Sequence, residues 1–304
     1  MKSAFFIAGP TASGKSEIAA DVAAQCGAEI VSADAFQVYR GLPLLTAQPD
    51  EATQWKVPHH LIGSVCVTEE MNAEKFRALA IATIQEINQR GKLALVVGGS
   101  GLYLKALTHG LAPLPTVNAH LRAELNALSL DELNRRLAAV DPSGVEKIDR
   151  KNKRRVVRAL EIFAQTNVPA SAQRQEWKSA STEARGIFVF RERAELYARI
   201  DERVGRMFRD GVTDEVARIG ALSKTAEKTI GLDQIRQLLE GRITSSECIA
   251  EIRQATRRYA KRQLTWFRRQ PNFEPLNLSL LKDHAAAVDW ILQKVLSFAS
   301  PLND

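Results

Sequence analysis

The chain of 304 residues is long enough to bury one large hydrophobic core, or a core and a smaller lobe. Its net charge of +7 makes it modestly basic, and 45% of its residues are hydrophobic, as in soluble globular proteins. Three widely separated cysteines exclude a disulfide framework and a paired-cysteine zinc site. No apolar run approaches the roughly 20 residues that a membrane span needs. We therefore expect a cytoplasmic protein that does not bind a membrane.

The first third of the chain alternates predicted strands and helices. Apolar runs predict strands at 4–8, 29–33 and 93–97, and amphipathic patterns predict helices at 16–25, 73–89 and 102–107. This alternation is typical of a parallel sheet with helical crossovers. Because ligands of such sheets bind at the carboxyl ends of the strands, the loops that follow the strands are candidate binding sites.

The loop after the first predicted strand reads Gly-Pro-Thr-Ala-Ser-Gly-Lys-Ser. Glycines let backbone N–H groups point at phosphate oxygens, a lysine adds positive charge, and a serine hydroxyl can bind Mg²⁺. The helix that follows presents its positive end to a bound anion. We predict that a diphosphate or polyphosphate binds to Gly9, Pro10, Thr11, Ala12, Ser13, Gly14, Lys15 and Ser16, and that Ser16 binds Mg²⁺ as the cofactor.

The residue pattern of the sequence changes near Pro113 and Pro115. Charged helical patterns follow at 120–128, 130–140 and 152–165, a strand pattern returns at 187–190, and helices are predicted at 194–208, 213–222, 232–239 and 246–268. We predict an α/β fold with a P-loop-type parallel sheet core flanked by helices, comprising 1–115 and 187–304. Residues 116–186 are predicted to form an inserted all-helical lobe.

Two stretches concentrate basic residues. One, in the predicted lobe, contains Lys151, Lys153, Arg154, Arg155 and Arg158, and the other, on the last long helix of the predicted core, contains Arg253, Arg257, Arg258, Lys261, Arg262, Arg268 and Arg269. Either could be a solvated helix face. The second stretch interleaves Tyr259, Trp266 and Phe267 with its cations, a mixture that favours phosphate contacts and base stacking. We therefore favour a nucleic acid partner.

Asp34 follows the second predicted strand and should project into the same cleft as the phosphate loop. A carboxylate at this position can bind a metal ion, or it can act as a base toward an incoming nucleophile. It can also serve as a helix cap or as a salt-bridge partner. The position alone leaves these alternatives open.

Several motifs occur together and in order along the chain. They are the phosphate loop at 9–16, Asp34-x-x-Gln37-x-Tyr39, Pro58-His59-His60-Leu61, Gly98-Gly99-Ser100-Gly101-Leu102-Tyr103, Arg199-Ile200-Asp201-Glu202-Arg203 and Lys261-Arg262-Gln263-Leu264-Thr265-Trp266. This series resembles the tRNA dimethylallyltransferases, also called tRNA isopentenyltransferases. The resemblance covers nearly the whole chain, from Phe5 to about Arg268.

The resemblance implies an enzyme that transfers the dimethylallyl group of dimethylallyl diphosphate to N6 of adenosine 37 in tRNA and releases diphosphate. Lys15, Mg²⁺ on Ser16 and Arg203 would then stabilise the leaving group. Asp34 matches the family's aspartate that orients the amine and accepts its proton. Ser100 matches a family threonine and is expected to contact the reacting centre.

The resemblance also implies that the anticodon stem-loop of tRNA binds to this chain. We expect a monomer, although the sequence does not determine the oligomeric state. The positions that match tRNA-contacting segments are Asp34, Ala35, Phe36, Gln37, Ser100, Arg122, Arg154, Arg155, Val156, Val157, Arg158, Lys228, Gly231, Lys261, Arg262, Gln263, Trp266 and Arg268. Two of these groups coincide with the basic stretches. Reaching adenosine 37 requires that the base be extruded into a pocket.

The sequence departs from the family pattern at Ala35, Gly63, Ser100, Leu232 and Asp233. We expect these changes to affect tRNA affinity and substrate choice more than the chemistry.

Two other functions fit the phosphate loop: a kinase that binds ATP there, and a non-catalytic RNA-binding protein. A GTPase is disfavoured, because the chain lacks an Asn-Lys-x-Asp segment for reading guanine.

Overall fold

The computed structural model describes residues 4–111, 115, 118–173 and 185–299. The described residues divide into two compact units, one of 4–108 with 185–299 and one of 109–173. We predicted a lobe at 116–186, but Gly186 begins a strand of the first unit. Positions 116–117 and 174–184 of that predicted lobe lie outside the described residues.

The strands and helices are as follows. The strands are Ala4–Ala8 (β1), Glu29–Ser32 (β2), His59–His60 (β3), Ala94–Gly98 (β4), Gly186–Phe190 (β5) and Phe273–Asn277 (β6). The helices are Lys15–Cys26 (α1), Glu51–Lys56 (α2), Ala73–Gln89 (α3), Gly101–His109 (α4), Ala119–Ala127 (α5), Leu130–Val140 (α6), Pro142–Val145 (α7), Lys153–Thr166 (α8), Arg193–Arg209 (α9), Val212–Ala217 (α10), Leu232–Leu239 (α11), Ser245–Phe267 (α12) and His284–Ala299 (α13).

Within the described part of the chain, six strands form one sheet in the order β3-β2-β4-β1-β5-β6, and every neighbouring pair is parallel. The predicted α/β class is therefore confirmed. β1 lies between β4 and β5, and all five of its residues are buried. A strand covered on both faces reads as a continuous apolar run, which explains why the sequence predicted β1 correctly. The loop that follows β1 consequently lies at the middle of the sheet's carboxyl edge.

Each face of the sheet has its own hydrophobic core. Phe6 belongs to the core that packs against α3, α9 and α12, whereas Phe5 and Ile7 belong to the core that packs against α1 and α13. Successive residues of a strand point to opposite faces, so β1 contributes to both cores. In the first core, the ring of Phe267 on α12 stacks on Phe188 of β5 at 5.1 Å. The long basic helix is thereby fixed to the sheet.

Local signals define where several helices begin and end. The Asn72 side chain caps α3 by accepting a hydrogen bond from Lys75 N, and Thr244 and Glu247 form a capping box at the start of α12. Gly27, in the left-handed region at φ 68°, ends α1. These residues satisfy backbone groups that would otherwise lack partners at helix ends. No helix in the described ranges is long and apolar enough to cross a membrane.

The helical unit has a separate core formed by α5, α6 and α8. Leu133, Leu137 and Val156 lie at its centre and are fully buried or nearly so. The Glu161 carboxylate is also fully buried, where it accepts hydrogen bonds from Arg122 and Arg158. A buried carboxylate requires such partners, because an unpaired charge in a core is strongly destabilising.

The sequence did not predict β3, β6 or α2. β3 has only two residues, both histidines, and β6 contains Pro275 and buries only Phe273 and Leu276. Their patterns are therefore too short or too polar to signal a buried strand. β6 tolerates a proline because it lies at an edge of the sheet.

A buried carboxylate joins three elements at one end of β2. Glu29 is only 3% exposed and accepts hydrogen bonds from His60 Nε2 at 2.7 Å and Arg90 at 2.7 Å, with Lys92 Nζ 3.0 Å away. Burial by itself would raise the pKa of Glu29, but the hydrogen bonds from His60, Lys92 and Arg90 outweigh it and lower the pKa from 4.5 to about 2. The ionised form is therefore the stable form in the folded protein.

We predict that Glu29→Gln lowers the free energy of unfolding at pH 7 by about 2–3 kcal/mol. A carboxyl group with a depressed folded pKa stabilises the protein above pH 4.5, and this contribution disappears as the pH falls from 4.5 toward 2. The difference between the variant and the parent should therefore shrink across that range. Denaturant unfolding at a series of pH values measures this difference in the free energy of unfolding.

Glu274→Gln is a matched control, because Glu274 pairs with Lys294 at 2.8 Å but its side chain is 48% exposed. We expect it to change the free energy of unfolding by less than about 1 kcal/mol at any pH. A difference for Glu29→Gln that stays constant between pH 7 and pH 2.5 would contradict the assignment.

Candidate active site at the phosphate loop

The segment from Gly9 to Ser16 connects β1 to α1 at the carboxyl edge of the sheet. Gly14 caps the helix at φ 90°, a conformation that strongly favours glycine, and α1 begins at Lys15. Backbone N–H groups of the first helical turn are unpaired within the helix and are available to an anion. The predicted strand, loop and helix order is therefore present, with the loop where a phosphate would meet the end of a helix.

Three arginines, one directly after β5 and two on α9, donate hydrogen bonds to oxygens of this loop. Arg191 Nε donates to Ser13 O at 2.8 Å, Arg199 Nε to Ala12 O at 3.0 Å, and an Arg203 guanidinium nitrogen to Thr11 Oγ1 at 2.7 Å. The sequence predicted a role for Arg203 but missed Arg191 and Arg199. The i, i+4 spacing of Arg199 and Arg203, which places both on one helix face, was the available signal.

Two cations and one carboxylate dominate the electrostatics of the site. Burial lowers the pKa of Lys15 from 10.5 to about 8, with Asp34 opposing this shift and Arg203 adding to it. Burial likewise lowers the pKa of Arg203 from 12.5 to about 10, and Asp34 again opposes the shift. Asp34 is therefore the carboxylate that acts on both Lys15 and Arg203 among the described residues. An anion that entered the loop would balance the excess positive charge.

Asp34 lies two residues beyond the end of β2, as the sequence predicted. Its Oδ1 accepts hydrogen bonds from Phe36 N at 2.9 Å and Gln37 N at 3.4 Å, while Oδ2 makes no hydrogen bond within the described part of the chain. Asp34 therefore caps the turn with one oxygen, and its other oxygen is not used in that cap. The structural and functional interpretations of this aspartate are compatible.

Ser100 comes from the end of β4 to the same place. It is buried, and its Oγ accepts a hydrogen bond from Ala35 N at 2.8 Å. This contact fixes the loop after β2 against the loop after β4. The hydroxyl thus positions the Asp34 segment, which is a role that the motif alone did not indicate.

Gln263 of α12 locks the phosphate loop from the opposite side. Its Oε1 accepts a hydrogen bond from Thr11 N at 2.9 Å, and its Nε2 donates to Gly99 O at 2.9 Å. Gln263 is buried, and both ends of its amide are occupied inside the protein. That Gln263 contacts tRNA stays a prediction, and in the structure its side chain is engaged inside the protein.

Aromatic and basic side chains of α12 lie close to Asp34. A cleft between α9, α12 and the loop after β2 is lined by Asp34, Phe36, Arg203 and Tyr259, among others. Burial and the nearby Asp34 raise the pKa of Tyr259, which is therefore protonated at neutral pH. Arg262 stacks over the Tyr259 ring at 5.6 Å. The cleft thus combines one carboxylate with surfaces suited to a planar base.

Trp266, also on α12, packs against α4. A Cβ placed on Gly101 would lie 2.6 Å from the Trp266 ring, so only glycine allows this approach. Lys261 and Arg262 are exposed on the same helix, and Arg268 is exposed directly after its end. The helix therefore presents an exposed row of cations next to the cleft.

The remaining predicted tRNA-contacting residues differ in their exposure. Arg154 and Arg155 are exposed on α8, whereas Val156 and Val157 are buried in the core of the helical unit. In this turn of α8, only the arginine side chains are therefore placed to contact a ligand. In the first unit Lys228 is exposed, and Gly231 is buried at φ 95° before α11.

Two departures from the family pattern lie next to Gly231, at the start of α11. Leu232 is buried in the core, and Asp233 is exposed and accepts a hydrogen bond from Gln237 Nε2 at 2.7 Å. The Asp233 carboxylate is therefore engaged with a side chain of its own helix on the surface.

The residues around Ser16 fit a hydrated Mg²⁺. Among the described residues no three His, Cys, Asp or Glu side chains are placed to hold a metal ion together. Mg²⁺ does not require such a cluster, because it keeps several waters and commonly takes one or two protein oxygens plus phosphate oxygens. Ser16, Ser32 and Gln37 line one small cavity. Its polar side chains would suit a water of the Mg²⁺ hydration shell.

Comparisons with known proteins agree with this geometry. The model of the IPP transferase family matches residues 37–270. The tRNA dimethylallyltransferase of Akkermansia muciniphila is 41% identical over 290 residues, covering 95% of this chain and 98% of the relative, and that of Myxococcus xanthus is 43% identical over 278 residues, covering 87% and 89%. The solved tRNA isopentenylpyrophosphate transferase of Bacillus halodurans superimposes with a TM-score of 0.73 at 32% identity, covering 98% of this chain and 97% of that one.

The family model spans more than half of the chain, and relatives above 40% identity cover most of it. Together with the phosphate loop, the aspartate beside it and the basic helix that locks the loop, these matches show that the chain belongs to the IPP transferase family.

Proposed function

We propose that this chain transfers a dimethylallyl group from dimethylallyl diphosphate to N6 of adenosine 37 in tRNA. The observation that carries the proposal is the position of Asp34, which faces the cations Lys15 and Arg203 at the end of the phosphate loop. A base beside an anion cradle suits a reaction in which diphosphate leaves while an amine attacks.

The diphosphate would bind to the loop between β1 and α1. Lys15 and Arg203 would contact its oxygens, and the N-terminus of α1 would add backbone N–H groups. Arg191, Arg199 and Gln263 already hold the loop through its own backbone, so little reorganisation is required when the anion enters. Such preorganised charge is more effective in the transition state than flexible surface charge.

The transfer then breaks one bond and forms another. The C1–O bond of the donor breaks, its electron pair leaves with the diphosphate, and C1 bonds to N6 of the adenine. The proton that N6 loses passes to the free Oδ2 of Asp34. Because an allylic carbon tolerates positive charge, stabilising the leaving group is the main electrostatic requirement.

Ser16 would hold Mg²⁺, which when bound neutralises charge on the leaving diphosphate. Ser100 would contribute by keeping the backbone at Ala35 in place, so that Asp34 stays directed at the amine. The exposed cations of α12 and α8 would bind phosphates of the anticodon stem-loop. Tyr259 and Phe36 would line the pocket for the extruded base.

A single-turnover assay with radiolabelled dimethylallyl diphosphate, Mg²⁺ and unmodified tRNA carrying adenosines 36 to 38 tests the proposal. We expect label on adenosine 37. Absence of label with tight tRNA binding would indicate a non-catalytic RNA-binding protein. A parallel reaction with γ-labelled ATP tests the kinase alternative, which label transfer from ATP would support.

We predict that Asp34→Asn lowers the rate of dimethylallyl transfer by about 10²–10⁴-fold while tRNA affinity changes little. Asparagine keeps an oxygen for Phe36 N and Gln37 N but cannot accept the proton. Asp289→Asn, on the exposed face of α13, is the control and should retain the parent rate. If Asp34→Asn reacted at the parental rate in single turnover, Asp34 would be excluded as the base.

We predict that Lys15→Met weakens binding of pyrophosphate in the presence of Mg²⁺ by about 10–100-fold, because a charge-assisted contact contributes about 1.5–3 kcal/mol. Isothermal titration calorimetry measures the affinity. Lys282→Met removes an exposed lysine near α13 and should leave binding unchanged. Equal affinities for the two variants would show that the diphosphate does not contact Lys15.

We predict that Arg262→Ala weakens the binding of tRNAs equally, whatever their sequence. Because one phosphate contact is lost, the slope of log K against the logarithm of the salt concentration should become less steep by about 1. Filter binding between 50 and 200 mM salt measures the slope. Arg242→Ala, at an exposed turn where Arg242 pairs with Glu240, is the control. An unchanged slope for Arg262→Ala would exclude a phosphate contact by this side chain.

A further inference from the structure

His59 has a fixed tautomer that leaves one ring nitrogen able only to accept a hydrogen bond. On β3 the two histidines face opposite ways: His60 binds Glu29, whereas His59 Nδ1 lies 2.8 Å from Val57 O. A carbonyl oxygen can only accept, so Nδ1 carries the proton. Burial lowers the pKa of His59, which favours the neutral ring. Nε2 is therefore an acceptor.

This acceptor has no hydrogen-bond partner among the residues that the structure describes. His59 Nε2 is buried and makes no hydrogen bond with any described residue. The Gln54 carbonyl also lies near the ring, but a carbonyl oxygen only accepts and cannot pair with a deprotonated nitrogen. Leaving a buried polar atom unpaired costs about 1–3 kcal/mol, and such atoms normally bind water or a ligand. A hydrogen-bond donor is therefore required next to the His59 ring.

The ring lines the small cavity that also contains Ser16, Ser32 and Gln37. The cavity has room for about one water molecule. Its other polar groups leave mostly acceptor positions, because the Ser32 hydroxyl donates to Gln37 Oε1 at 3.3 Å and Gln37 Nε2 donates to Ala47 O at 2.8 Å. A water here would donate both of its protons, one of them to His59 Nε2.

A water that donates both protons to acceptors directs its lone pairs elsewhere, as waters bound to a cation do. In this cavity the neighbouring polar group is the Ser16 side chain, which is the candidate Mg²⁺ ligand. His59 is then separated from the ion by one water. This arrangement agrees with the preference of Mg²⁺ for retaining its hydration shell.

We propose that His59 is a positioning residue that accepts a hydrogen bond from a water in the hydration shell of the Mg²⁺ held by Ser16. The proposal rests on the proposed function, because it requires Mg²⁺ beside a diphosphate in the loop. His59 fixes the orientation of that water and hence the place where the ion sits relative to the diphosphate. Residues of this kind typically change metal affinity 10–100-fold when they are replaced.

The test compares His59→Asn with His59→Gln by calorimetric titration of pyrophosphate at a series of Mg²⁺ concentrations and in EDTA. Asparagine keeps a donor for Val57 O but has no acceptor at the place of Nε2, whereas the longer glutamine side chain can present an oxygen there. We expect His59→Asn to raise the Mg²⁺ concentration for half-maximal tightening by about 10-fold or more. His59→Gln should stay close to the parent, and binding in EDTA should be the same in all three proteins.

The control is His284→Asn, because His284 lies at the exposed start of α13 and binds Asp21. Its Mg²⁺ dependence should match that of the parent. If His59→Asn shows a lowered melting temperature, His59→Phe fills the space of the ring without an acceptor and should reproduce the weakened Mg²⁺ dependence.

Three outcomes would overturn the proposal. A parental Mg²⁺ dependence in His59→Asn and His59→Phe would leave His59 with a purely structural water. An equal loss of affinity in EDTA would show that the ring shapes the loop rather than the ion site. If the parent itself bound pyrophosphate with no effect of Mg²⁺, or did not bind it, the proposed function would fail in its metal or its diphosphate component, and the parent arm alone reveals this.

Discussion

The site depends on an imbalance of charge at the centre of the sheet's carboxyl edge. Lys15 and Arg203 are both partly buried beside a single carboxylate, Asp34, and burial lowers the pKa of each cation. Such an arrangement is costly in the free protein and becomes favourable when an anion enters. The surrounding structure keeps these charges close together despite their repulsion.

The parallel sheet and α12 provide that support. Since the carboxyl ends of β1, β2 and β4 lie side by side, residues from three separate parts of the chain meet at one edge. Gln263 then joins Thr11 and Gly99, which are 252 and 164 positions away in sequence, through one buried amide. The helix that carries the exposed cations is therefore the same element that locks the phosphate loop. Ring stacking between Phe267 and Phe188 fixes this helix to the sheet.

The helical unit uses charge in a different way. Glu161 is buried and holds Arg122 and Arg158, so these two arginines are oriented by the core of their own unit. Arg154 and Arg155 on the same helix remain exposed. A buried carboxylate can therefore fix the direction of basic side chains on a surface, while the neighbouring exposed arginines remain free to adapt to a ligand.

Strong local patterns made part of the site predictable from the sequence. The apolar run of β1, the glycine-rich loop and the start of α1 are encoded by adjacent residues, so the phosphate loop and the α/β class followed directly. The position of Asp34 after β2 was equally local. In contrast, β3 and β6 were missed because two histidines and a proline-containing edge strand carry no clear signal.

The sequence by itself determined the fold class, the phosphate loop and the family resemblance, because each depends on residue types at short or fixed spacing. Only the tertiary structure decided which side chains hold that loop. Arg191 and Arg199 contact its carbonyls, Gln263 closes it from α12, and His59 reaches the cavity beside Ser16 from a strand that the sequence did not predict. These contacts join residues far apart in the chain, and their hydrogen-bond geometry exists only after the sheet has brought the strand ends together.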